Sequence, residues 1–373
     1  MNNIGDRLKD ARRRAGLTLD QVENRTGIGR SSLSDFENGK REPRISQLKL
    51  LADAYHRPFS FFLGDRPVPR EAVLWRLKPE DGSDEIQARF LRLCYQYSHL
   101  EILLDKRIRA QLPSPTGNSR SYSYQQAESL AKSVRDALQL GDQPGNSLQR
   151  VLEEVYGTKI FHKSFLPDGT ALSSKSDSFG LAVLLNPESK RWRRNFDLAH
   201  ELFHLLTWDV FEYGLDDTSA EASEWEEKLA TCFARNLLMP AGALKKAIEA
   251  HITGGEVPLA SLLQIARLFD VSVDALIWQI HMVYGWGKDR EERTQALIDR
   301  IKKRESQIEE KRKDTRPDEW PERYESLAVE ALKKGLISIG KFAEYMEISR
   351  YEAMKYISSE DTPDEERIAV APA

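Results

Sequence analysis

The sequence predicts an α+β fold, mainly helical: a small helical bundle at the head, a middle domain holding a small sheet, and a helical C-terminal region. Three observations lead there. The chain is 373 residues long, with 40% hydrophobic and 31% charged residues, the balance of a globular protein with room for two or three domains. Apolar residues recur at three and four over most of its length, the spacing of helices that bury one face. At residues 158–161 and 179–185 short apolar runs take over, and these read as strands.

Charge excludes some roles. Lys and Arg total 55 against 59 Asp and Glu, a formal net charge of -4, so the surface as a whole is no nucleic-acid binder and any DNA-binding part must be local. Residues 1–57 hold 12 Lys and Arg against 8 Asp and Glu, a local +4, which leaves -8 for the rest. No apolar run approaches the ~20 residues that span a bilayer, and the opening MNNIGDRLKD lacks the apolar stretch of a signal peptide. The expectation is a cytoplasmic protein with no membrane partner. Cys94 and Cys232 are too few for a disulfide framework or a cysteine zinc site and are expected to be buried thiols.

In the head, Ile4, Leu8 and Ala11 define a first helix, and Thr18 caps a second with Leu19 and Val22 inward. A third follows the Gly27-Ile28-Gly29 turn and runs through Leu33 and Phe36 to Gly39, with small polar residues outside. A fourth, residues 45–55, repeats the spacing with Leu48, Leu51 and Ala52 and ends at Arg57-Pro58. Two helices around a tight turn, the second with a small polar outer face, suit a major groove, because bulky apolar residues there could not pair with base edges. The segment LTLDQVENRTGIGRSSLSDFENGKREP resembles the phage-repressor-like (XRE/Cro-type) helix-turn-helix family, most specifically in ENGKREP. That resemblance implies double-stranded DNA as a partner, with Arg30, Ser31 and Asp35 facing bases and Thr18, Asn38 and Lys40 on phosphates. Half-site recognition would usually call for a homodimer, a point the sequence leaves open. The same small fold serves elsewhere as a protein-interaction module, and the Asp35 carboxylate accepts from cytosine but repels phosphate.

After a head of residues 1–63, residues 64–84 are rich in Pro, Gly and charge and read as a linker, with one short strand expected at 72–77. Residues 84–110 form a helix whose stripe of Phe90, Leu91, Cys94, Tyr95, Tyr97, Leu100 and Leu103 reads as core. Helical stretches at 124–140 and 147–156 then lead to the strands. The strand at 178–185 is open to two readings: an edge on which an extended substrate adds as another strand, or ordinary core sheet.

The strongest chemical signal follows. FDLAHELFHLLTW, residues 196–208, places His200 and His204 four apart on one helical face with Glu201 beside the first. One helical turn brings both imidazoles to a single tetrahedral ion, and Glu201 lies close enough to take a proton from water at that ion. A coincidental pair of core histidines would leave the charged Glu201 between them in need of a partner. A third ligand must come from elsewhere. None of the other histidines has a telling neighbourhood, so a carboxylate is expected, and the helix EWEEKLATCFARNLLMP offers Glu224, Glu226 and Glu227. Glu227 lies on the inward face, three before Ala230 and seven before Ala234, though spacing alone leaves a solvated side chain as an equal alternative. For oxyanion stabilisation Tyr213 and His162 qualify by residue type, and nothing local chooses between them.

SLQRVLEEVYGTKIF, the HExxH within FDLAHELFH and the E-x-x-A-x-x-F-A-x-x-L-L-M-P run together resemble the ImmA/IrrE family of zinc metallopeptidases, over about residues 120–285. The resemblance implies a zincin-like metallopeptidase domain with a small sheet, Zn2+ held by His200, His204 and Glu227, and Glu201 as general base. Thr231 stands where the family often carries Asn, which alters support of the third ligand without removing it. The implied substrate is a helix-turn-helix repressor, whose cleavage derepresses mobile-element, defence or stress genes. Single-stranded DNA is one candidate activator, although no stacking platform stands out in the sequence.

A metallopeptidase domain of residues 85–286 would thus be followed by a charged helix or linker (287–318), a small helix-turn-helix-like helical domain (319–360) and an acidic, disordered tail (361–373). The 319–360 segment lacks a basic excess and is expected to bind a partner or cover the peptidase domain. Two functions compete. One is a regulatory zinc metalloendopeptidase with its own DNA-binding head, including the variant in which it cuts itself within 64–84. The other is a DNA-binding transcriptional regulator or antitoxin whose metallopeptidase fold is a sensor or scaffold with little turnover. The complete HExxH favours the first.

Overall fold

Helices form in the head where apolar spacing places them, and a fifth is added. In the computed structural model of the protein, α1 (Ile4–Arg14), α2 (Leu19–Thr26), α3 (Arg30–Glu37) and α4 (Ile45–Ala54) enclose Leu8, Val22, Leu33, Phe36 and Leu51, all buried. The structure describes residues 4–63, 71–115, 121–167, 169–213, 221–252, 257–285, 298 and 316–358. Most of the charged 287–318 segment, the 64–70 part of the linker and the tail from 361 lie outside the described residues. Thr18 closes a capping box with Gln21, and Gly27 ends α2 at φ 69, backbone that a side chain would strain. Short α5 (Phe59–Leu63) buries Phe62 near Tyr55; five residues are too few to show a helical period, so sequence reading passes over it. Arg12 grips both oxygens of buried Glu37 at 2.6 and 2.9 Å while bonding the Leu17 carbonyl. The Glu of ENGKREP is therefore a bolt between α1 and α3.

The head is seated on the first turns of α6 (Ser83–Leu103). A β-carbon on Gly16 would meet Asp84 at 2.9 Å, Arg25 pairs with Glu85 at 2.9 Å, and Ala88 joins the head's core. By packing, the chain forms two compact units, one of residues 1–95 with 108–319, the other of residues 96–107 with 320–373. In the second, α14 (Glu322–Lys333), α15 (Ile339–Tyr345) and α16 (Arg350–Ser358) pack with the last turns of α6. Tyr97 meets Tyr324 edge to face, Arg323 pairs with buried Glu101, and the Tyr345 hydroxyl lies 2.8 Å from His99 Nδ1. The aromatic stripe of α6 is core, as its spacing implies.

In the first unit, among the described residues, β1 (Leu74–Arg76), β2 (Lys159–His162), β3 (Ala171–Ser176) and β4 (Gly180–Leu185) form one sheet in the order β1-β3-β4-β2. β3 and β4 are an antiparallel hairpin, β2 runs parallel to β4, and β1 adds antiparallel to β3 with Leu74 opposite Ser173. One reading is thereby corrected: the 178–185 run is no edge, because β4 pairs on both sides and buries Ala182 to Leu185. A strand flanked on both sides has no backbone groups left for a substrate. The edges are β1 and β2. β3 itself is unforeseen, since ALSSKS has no apolar alternation, yet Ser173 and Ser174 are fully buried.

Helices α7 (Tyr124–Ala137), α8 (Leu148–Glu154), α9 (Arg191–Leu206), α10 (Glu224–Leu238), α11 (Ala241–Glu249), α12 (Leu259–Leu268) and α13 (Val273–Tyr284) complete the unit. α9 lies between β3–β4 and α10, and α10 also packs along α7. Their core runs from Leu74 and Val183 through Leu202 and Phe233 to Leu276. No helix among the described residues is long and apolar enough to cross a membrane.

Candidate metal centre

α9 carries His200, Glu201 and His204 into this core, where they are 1%, 1% and 2% exposed. α10 supplies the carboxylate, and its first turn decides which one. Ser223 caps the helix with a capping box, so the carboxylate of Glu226 turns back to accept the Ser223 N–H at 3.0 Å. Glu224 faces solvent and pairs with Lys228. Glu227, one residue on, is turned toward the histidines: one oxygen lies 3.1 Å from His200 Nε2, the other 3.3 Å from His204 Nε2, and the two ring nitrogens are 3.3 Å apart. Three donor atoms within 4.8 Å of one another form a group that could hold a metal ion.

Their chemistry fits zinc. Burial holds the His200 imidazole neutral, its pKa pushed down to about 3 against the pull of Glu227. Burial pushes Glu227 up, but the hydrogen bonds to His200 and His204 outweigh it and keep the carboxyl below its ordinary range. Two imidazoles and one carboxylate are the donor set of a zinc site that keeps a fourth position open.

Glu201 stands beside the triangle with two distinct oxygens. Oε2 accepts the Ser173 hydroxyl at 2.6 Å, while buried Oε1 has no protein partner. Burial raises this carboxyl to about 7, opposed by His204, Ser173 and Arg76. That value suits proton transfer near neutrality. One helical turn earlier Asp197, also buried, is clamped by Arg76 of β1 and by Arg193 at 3.0 Å. Ser173 and the Arg76–Asp197 pair escape sequence reading. Only Asp197 leaves a signal, as a charge on a helix face that the apolar pattern buries.

Neither oxyanion candidate faces the ligand triangle. The Tyr213 hydroxyl donates to Glu226 at 2.7 Å and lies 3.5 Å from His204 Nδ1, the ring nitrogen turned away from the ligand atoms. It backs the ligand. His162 is on β2, at the far edge of the sheet, where burial pushes its pKa down to about 3. Cys94 and Cys232 are buried free thiols, both pushed up by burial.

In the head, Thr18, Arg30, Ser31, Asn38 and Lys40 are exposed and Asp35 is half-buried, all on the α2-turn-α3 segment or just after it. Several are already engaged. Thr18 accepts the Gln21 N–H, Arg30 pairs with Asp20 at 3.0 Å, and the Asn38 amide donates to the Ser34 carbonyl at 2.8 Å.

Comparison with known proteins points to the same two parts of the chain. A helix-turn-helix domain matches residues 3–58, and an IrrE N-terminal-like domain matches residues 153–280. The HTH-type transcriptional regulator ImmR of Bacillus subtilis is 32% identical over 69 residues, 18% of this chain and 54% of ImmR. The chain thus spans about half the length of that curated relative. Among solved structures, Bacillus thuringiensis PlcR in complex with the peptide PapR7 and DNA aligns over 96% of this chain and 95% of PlcR, at 13% identity and a TM-score of 0.17, a value too low to equate the folds.

Proposed function

From a chain that joins a helix-turn-helix DNA-binding domain to an IrrE N-terminal-like domain of the metallopeptidase class, we propose a regulatory zinc metalloendopeptidase that cleaves a helix-turn-helix repressor and so derepresses mobile-element, defence or stress genes. The observation that carries this reading is the convergence of His200, His204 and Glu227 with Glu201 beside them. His200, His204 and Glu227 would hold the ion. When bound, zinc supplies Lewis acidity, acidifying water and polarising a carbonyl. Glu201 takes the proton of the attacking water at Oε1 and returns it to the leaving amine nitrogen. Ser173 keeps Oε2 occupied, so the carboxylate stays in one orientation. The basic head takes double-stranded DNA, with Arg30, Ser31 and Asp35 at bases and Thr18, Asn38 and Lys40 at phosphates, as a homodimer on paired half-sites.

Elemental analysis of the purified chain tests the centre. Near-stoichiometric zinc is expected in wild type and Glu226→Ala and a loss of zinc in Glu227→Ala. Zinc-loaded wild type should then consume a purified helix-turn-helix repressor encoded beside it, and Glu201→Gln should not. A wild type that holds no zinc when supplied with it ends the peptidase reading. A second reading draws on the likeness to ImmR, a transcriptional regulator: a DNA-binding regulator or antitoxin with the metallopeptidase fold as sensor. Unchanged gene output in a zinc-loaded Glu201→Gln strain would favour it.

A further inference from the structure

The strand beside Glu201 is β3, and its outer side is paired by the chain's own linker, which as β1 forms the edge of the sheet. β1 pairs antiparallel with β3, with Leu74 directly opposite Ser173 and Arg76 opposite Ala171. Directly opposed residues point to the same face, so Leu74, Arg76 and Ser173 all turn toward α9. There the two polar members meet carboxylates one helical turn apart: Ser173 holds Glu201 at 2.6 Å, and Arg76 clamps Asp197. The Ala72 carbonyl accepts the Ser174 hydroxyl at 2.8 Å. Residues 72–76 therefore lie along the edge on which an extended peptide would have to pair to pass Glu201.

The segment is poorly suited to permanent residence. Trp75 is buried, yet its indole N–H finds no protein partner, as a buried Trp normally does. Leu77, next after the strand, is 68% exposed and sits at φ 61, left-handed backbone that a branched side chain adopts under strain. Glu71, just before it, is buried in the field of the head's Arg57, and burial pushes its carboxyl up. β1 pairs over three residues, against six for the β3–β4 hairpin.

We propose that β1 is a resident inhibitory strand: residues 72–76 fill the peptide-binding edge of β3, the metal centre is latent while they do, and the substrate is an extended segment with an apolar residue opposite Ser173 and a basic one opposite Ala171. This rests on the peptidase reading above. Exchanging one strand for another preserves the ladder hydrogen bonds of β3, so displacement forfeits chiefly the side-chain grip of Leu74 and Arg76. Asp197 selects the basic residue. Glu71, at the strand's entry, is buried without a hydrogen-bond partner for either carboxylate oxygen, so that side chain is held by packing and not by a hydrogen bond.

A labelled peptide of residues 70–78, REAVLWRLK, titrated into the zinc-loaded full chain carrying Glu201→Gln, tests this without turnover. The peptide should bind weakly to that chain and at least tenfold more tightly once Leu74→Gly and Arg76→Ala free the edge. A Trp75→Cys and Leu172→Cys pair, directly opposed across β1 and β3, should abolish binding when oxidised and restore it when reduced. The inference is overturned if the freed chain, folded and zinc-loaded, binds no better than its parent, or if the stapled chain still binds. Should the freed variant misfold, hydrogen exchange of the unaltered chain decides: β1 amides should exchange well before those of β3 and β4, and equal rates overturn the inference. Zinc content judges the peptidase reading separately. A chain with zinc but no binding at the edge loses this inference alone, and one without zinc loses both.

Discussion

Glu226 and Glu227 are neighbours of identical chemistry, and one capping hydrogen bond gives them opposite tasks. Bonded back to Ser223 and to Tyr213, Glu226 supports the site from behind, while Glu227 completes the donor triangle. The same logic makes Ser173 a positioning residue, since its hydroxyl donates to the carboxylate that would do the chemistry. Ser173→Ala should lower kcat about tenfold, a fraction of what a general base contributes, with zinc content and KM nearly unchanged. Ser173→Thr, which keeps the hydroxyl, should restore most of the rate. Loss of zinc in Ser173→Ala would mean that the serine shapes the site rather than orienting the base.

At the scale of elements, α10 is started by the Ser223 cap, so Ser223→Ala should cost about 1 kcal/mol of stability and weaken zinc binding, because Glu226 and Glu227 both depend on where that helix begins. A urea melt and a chelator competition read the two effects. The turn after α4 carries a pH response. His56 is half-buried among Arg92, Arg89, Glu85 and Arg25, and loss of solvent around it, helped by the arginines, pushes its pKa down to about 4. Its folded pKa lies below the unfolded one, so the unfolded chain binds more protons between pH 6.5 and 4, and stability falls as pH drops through that window. Roughly 2 kcal/mol should be lost between pH 7 and pH 5. His56→Asn, which tolerates the left-handed backbone at φ 54, should remove that part of the slope. His162, pushed down to about 3, contributes a further part in the same direction.

Across the whole molecule, a locally basic head is carried by an otherwise acidic chain. DNA affinity should therefore fall steeply with salt, as phosphate contacts release counterions, whereas zinc binding should be nearly indifferent to it. A chelator should lower the melting temperature of the unit of residues 1–95 with 108–319, because a ligand bound only by the folded state stabilises it by mass action. Calorimetry with and without chelator reads this. No shift on chelation would mean that the triangle holds no ion in solution.

How much was legible depended on how local each signal was. The head helices, the HExxH and the carboxylate helix follow from period, caps and one helical turn, all written within about a dozen residues. Glu227 is narrower: spacing puts it on the inward face and the family likeness selects it, but only the folded capping box shows that the Glu226 carboxylate turns back to Ser223. β3 gave no warning because its serines are buried by partners distant in sequence, and α5 was too short to show a period. The edge position of 178–185 failed for the same reason, since whether a strand is central is a property of its neighbours and not of its residues. The head's helices, the one-turn spacing of His200 and His204 and the local charge of the head are written in the residues themselves, because each depends on contacts within a turn or two. Only the tertiary structure decided that Ser173 holds Glu201, that Tyr213 stands behind His204 and that the linker lies on the edge of β3, because each joins segments whose separation no local pattern encodes.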